Sequence, residues 1–73
     1  MIPLRLTTLG EALPLEMARV ANTVIPAYVA IGPLGEFALA GMRSDLDAAA
    51  KALAEQDVVA MLRAYEALKG YTT

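Results

Sequence analysis

Between Met17 and Ile31 the apolar positions Met17, Val20, Ala21, Val24, Tyr28 and Ile31 recur at steps of three and four. That period lays them on one face of a helix, with Glu16, Arg19 and Thr23 off it. Pro14 suits the first turn of such a helix, where a missing N–H costs nothing. Pro26 falls inside it, where a proline removes the bond to the carbonyl of Asn22 and kinks the rod. The apolar period continues in phase past Pro26, so the pattern predicts one kinked helix over 14–31. Upstream, Thr8-Leu9-Gly10-Glu11 has the Thr-x-x-Glu spacing of a capping box, with room for a single turn before Pro14.

Gly32-Pro33-Leu34-Gly35 punctuates the chain: Gly32 suits a left-handed cap and Pro33 opens the next helix. Leu39, Met42, Leu46, Ala49 and Leu53 then form a seam, predicting a second helix over 34–54. Beside the seam runs a row of small residues, Ala38, Gly41, Ala48 and Ala52. Arg43, Asp47, Lys51 and Glu55 stand four apart with alternating sign, an exposed ladder. Continued in register, the seam would put Gln56, Ala60, Arg63 and Ala67 inside. The residues that read as core are instead Val58, Met61, Leu62, Tyr65 and Leu68. The pattern slips at Glu55-Gln56-Asp57, and Asp57 is a good N-cap. A third helix is therefore predicted over 58–69, with Ala60, Ala64 and Ala67 beside its main stripe, stopped by Gly70 before a tail over 71–73.

Ile2, Leu4 and Leu6 alternate with Pro3, Arg5 and Thr7. One short run with a proline does not stand alone as a strand, so residues 1–8 read as an extended arm lying on the bundle or on a neighbour. The fold class that results is all-α: a small three-helix bundle with an extended N-terminal arm, one domain over 1–73.

Size and composition change this picture in one respect. A chain of 73 residues hides only about 60% of the surface that its unfolded form exposes. Yet 58% of its residues are hydrophobic, against roughly 45–50% in an ordinary domain. With no cysteine to staple it, tight packing or association must supply the remainder. A seam, a small-residue row and an apolar arm are more than three helices need, so the expected state is a homo-oligomer, most simply a two-fold dimer.

Between Arg19 and Glu36 the stretch Val20–Gly35 is uncharged, which invites a membrane reading. Its 16 residues would reach about 24 Å as helix, short of the roughly 30 Å of hydrocarbon. The Gly-Pro-x-Gly break within it would strand backbone groups. A corner buried among helices is the better reading. The early carboxylates argue against a signal peptide, and a cytoplasmic location is expected.

Charge and chemistry narrow the functions. The net charge is −2 with a pI near 4.8, and the basic residues from Arg5 to Lys69 make no patch, which argues against nucleic acid and anionic lipid as partners. Histidine and cysteine are both absent, so triads built on them and ordinary zinc sites are excluded. Asp45 and Asp47 point to different sides of a helix, and Ser44 has nothing to activate it. No catalytic, cofactor or metal site is expected. Glu36 reads as a first-turn carboxylate favoured by the helix dipole, or as a desolvated, proton-binding one. The expected role is a non-enzymatic protein–protein interaction module: an adaptor, assembly factor or inhibitor. The alternatives are a structural subunit of a larger assembly such as a phage particle, or a membrane-associated small protein. The partner-facing residues expected are Tyr28, Pro33, Leu34 and Phe37 at the corner, Ile2, Leu4 and Leu6 on the arm, and Tyr71 beyond the glycine stop.

Overall fold

The computed structural model describes residues 8–72; the arm with Ile2, Leu4 and Leu6 lies outside the described residues. Three helical rods follow one another, and no strand occurs among the described residues. The first rod joins α1 (Leu9–Arg19), a π turn (Val20–Val24) and α2 (Ile25–Ala30) end to end. A 3₁₀ turn over Gly32–Gly35 leads into α3 (Glu36–Glu55), and α4 (Val58–Lys69) closes the fold. The all-α three-helix class read from the sequence is the one observed.

The first rod starts at Leu9, ahead of the expected start at Pro14, because the capping box wins. Thr8 is extended (φ −83°, ψ 165°) and its N–H donates to Glu11 Oε1 at 3.1 Å. Its carbonyl accepts from Glu11 and Ala12 N–H at 3.0 and 2.8 Å. Pro14 then sits inside α1 and deprives the Gly10 carbonyl of its helical partner. Gly10 and Pro14 are both exposed, so water can take that place.

At Pro26 the rod opens into a π turn, in which the Ile25 N–H reaches back five residues to the Val20 carbonyl. The wider turn carries one extra residue, which rotates everything beyond it by roughly 100°. The apolar face therefore does not continue in phase. Val20 and Val24 are buried and Tyr28 is half-buried, but Ile31, expected on the same face, is 54% exposed.

Gly32 takes the left-handed cap (φ 71°) that the sequence suggests. Gly35 is buried because the start of α3 closes directly on the last turn of α2. In α3, Leu39, Met42, Ala49 and Ala52 are buried, with Leu46 and Leu53 partly so. The helix ends as a Schellman motif: Gln56 is left-handed (φ 55°, ψ 35°) and the Asp57 N–H returns to the Ala52 carbonyl at 3.1 Å. Asp57 Oδ1 then accepts the Ala60 N–H at 3.1 Å and starts α4. The break at 55–57 falls where the seam slipped.

Helix α4 buries Met61, Ala64 and Leu68. Val58 and Leu62, expected in the core, stand 67% and 51% exposed. Met61, Ala64 and Leu68 take the inward face of α4, which leaves Val58 and Leu62 on its outer sides.

Arg19 Nη2 donates to the Leu68 carbonyl at 3.0 Å and the Tyr28 hydroxyl to the Thr72 carbonyl at 3.4 Å. Helix α4 thus runs parallel to the first rod and antiparallel to α3. It ends alongside the π turn, so only the tail accompanies α2, which buries no residue of its own. The core is thin. Its fully buried large side chains are Leu13, Val20, Val24, Met42 and Leu68.

Candidate interaction surface

Where α2 meets α3 without a third helix, the corner presents apolar side chains to water. Leu34 is 89% exposed and Phe37, the single phenylalanine of the chain, 93%. Val29 and Ile31 are more than half exposed beside them in sequence. Of the residues expected at this corner, Pro33, Leu34 and Phe37 are exposed, while Tyr28 is half-buried against the core. Val29 and Ile31 were not expected there; the π turn that rotates Ile31 outward leaves no mark on the apolar spacing.

Between α2 and α3 the corner opens into a cleft of about 520 Å³ whose walls include Val29, Pro33, Glu36, Ala40 and Arg43. Glu36 is exposed in the first turn of α3, where the helix dipole favours a negative charge. The desolvated alternative for this carboxylate is not the observed one.

A second set of exposed apolar side chains stands at the start of α4, where Val58, Val59 and Leu62 are more than half exposed. On α1, Leu15 is 68% exposed. The α3 helix, about 30 Å long by its rise per residue, separates this end of the molecule from the corner.

The small-residue row of α3 is largely covered within the chain. Ala52 is buried, Ala38 and Gly41 are half-buried, and Ala48 is exposed. Tyr71, expected at an interface, folds back over this row. Its hydroxyl lies where it would touch a Cβ at Gly41, 3.3 Å away, and donates to Asp45 Oδ2 at 2.5 Å. The hydrogen bond to Asp45, reinforced by burial and by the carboxylate charge, pushes the phenol up to about 12 from its ordinary 10.0. The folded state thus holds this proton more tightly than the unfolded chain. The stabilisation it brings is complete below pH 10 and fades as pH rises toward 12. Tyr71→Phe should lower stability at neutral pH, and the gap to the wild type should close between pH 10 and 12 in urea unfolding followed by circular dichroism. A gap independent of pH would show that the hydroxyl is not engaged.

Among the described residues no polar or charged side chain is buried, and no group of three acidic residues converges closely enough to hold a metal ion. The ion pair within 4.0 Å is Glu16–Arg19, at 3.0 Å. No described helix is long and apolar enough to cross a membrane. Fold and surface together define a small all-α three-helix bundle with two exposed apolar areas. No family model, curated protein or solved structure matches the chain.

Proposed function

We propose that this chain is a non-enzymatic protein–protein interaction module, an adaptor, assembly factor or inhibitor, that works as a homo-oligomer, most simply a dimer. One observation carries the reading: Leu15, Val29, Ile31, Leu34, Phe37, Val58, Val59 and Leu62 are all more than half exposed. A soluble monomer seldom leaves large apolar side chains in clusters, and such patches mark association sites. The corner is the better candidate for the principal contact, because it couples a near-fully exposed aromatic to a concave wall, and aromatic anchors dominate binding energy.

Substitution tests this directly. Leu34→Asp and Phe37→Asp remove side chains that touch little of the fold, so each variant should keep its stability to within about 0.5 kcal/mol. Each should nonetheless lose association, measured by light scattering behind size-exclusion chromatography. Variants that associate as well as the wild type would contradict a contact at this corner.

A second reading is favoured by the two apolar areas lying at different ends of the molecule. Unlike patches that pair head to tail do not close, and they build open assemblies. A structural subunit would then grow with concentration, while an adaptor stops at a fixed size. Val58→Asp together with Leu62→Asp should abolish growth in the first case and leave the dimer intact in the second.

A further inference from the structure

We propose that a second copy of this chain seats in the cleft between α2 and α3. The two α3 helices cross antiparallel about a two-fold axis near Leu39 and Ala40, and Glu36 pairs with the partner's Arg43. The proposal rests on the self-associating reading above and gives it a place and a register.

The charges are the starting point. Glu36 and Arg43 both line the cleft and stand seven residues apart, two turns or about 10.5 Å along one face of α3. Within the chain neither has an ion-pair partner among the described residues, where the pair within 4.0 Å is Glu16–Arg19. A surface with one acid and one base at equal distances from a midpoint is complementary to itself only when inverted. An antiparallel register centred between Leu39 and Ala40 sets each Glu36 against the partner's Arg43, twice over. A parallel arrangement would set like charges together, which costs association.

The midpoint also suits close approach. Ala40 is exposed and small, so nothing there holds two helix backbones apart. Val29 and Pro33, exposed on the same cleft wall, add apolar contact around the axis. The result has the form of a two-fold interface in which one patch meets itself: a small-residue centre, apolar flanks and a charged pair at each end.

Charge reversal tests both the place and the register. Glu36→Arg and Arg43→Glu each set like charges opposite one another at both ends, and each should weaken the dimer at least about tenfold in sedimentation equilibrium. The double variant Glu36→Arg with Arg43→Glu restores opposite charges and should return to within about threefold of the wild type. Raising sodium chloride from about 50 to about 500 mM should weaken the wild-type dimer. Far-ultraviolet circular dichroism and urea unfolding check that each variant is folded, as exposed positions allow. Single reversals that leave the dimer unchanged, or a double variant that fails to recover, would overturn the pairing; a dimer still broken by Phe37→Asp would then leave the functional reading standing. A wild type that stays monomeric at every concentration overturns both.

Discussion

Gly35→Ala should be the most damaging single-methyl change in this chain. A Cβ at position 35 falls inside the van der Waals envelope of the Tyr28 carbonyl oxygen and lies 3.0 Å from Ile31 Cγ1 and 3.2 Å from the Tyr28 carbonyl carbon. Two of the three are backbone atoms, which do not move aside as the end of a flexible side chain does. Relief therefore requires α2 and α3 to part at the corner. Overpacking of this kind costs about 3 kcal/mol, and in a domain of this size that lowers Tm by roughly 12–24 °C. Gly32→Ala makes the control. That glycine is left-handed (φ 71°) but has nothing within 4 Å of an added Cβ, so only the backbone penalty of about 1 kcal/mol applies. Thermal unfolding followed by circular dichroism ranks the two. If Gly35→Ala is no worse than Gly32→Ala, the two helices do not approach as described, and the cleft beside them is misplaced.

Leu13→Ala should be the second large effect. Leu13 is fully buried in α1, among the few large side chains that fill the core. Removing its branched end leaves a cavity that a thin core cannot close, and changes of this type cost about 2–5 kcal/mol. Leu15, two residues on, is 68% exposed, and Leu15→Ala should cost no more than about 0.5 kcal/mol to folding. The same substitution on one helix thus separates its core face from its outer flank. Urea unfolding of the pair decides it: equal losses would mean that α1 is rotated about its axis relative to the described packing.

How much of this could be read from the residues depends on how local the determining physics is. The break between α3 and α4 was legible because it is set by neighbours in sequence: a seam that slips, and Asp57 placed to cap Ala60. The corner was legible for the same reason, since Gly32-Pro33-Leu34-Gly35 can hardly continue a helix and turn tips face water. At the start of the first rod two local signals competed. Pro14 argued for a start there and Thr8 with Glu11 for an earlier one; the capping box won, because the bond that Pro14 forfeits lies on the wet side of α1.

The rest depends on packing partners that spacing alone does not name. A π turn shifts the register by one residue, too little to disturb an apolar period of three and four, yet enough to turn Ile31 outward. In α4 two apolar rows lie side by side, Val58-Leu62-Tyr65 and Met61-Ala64-Leu68, and each satisfies the helical period. Which faces inward is decided by how α4 packs against α1 and α3, a tertiary fact. The exposure of Val58 and Leu62 was missed on that account. Tyr71 was beyond reach for a similar reason: its place on Gly41 and Asp45 requires α4 to lie antiparallel to α3.

Sedimentation equilibrium of the wild-type chain, loaded from about 5 to about 500 µM so that dissociation constants across that range are visible, tests most directly whether one copy leaves more apolar surface than it can use. The expected result is an average mass that climbs with concentration to twice the chain mass of 7.7 kDa and stops there. A mass fixed at 7.7 kDa over the whole range would contradict it.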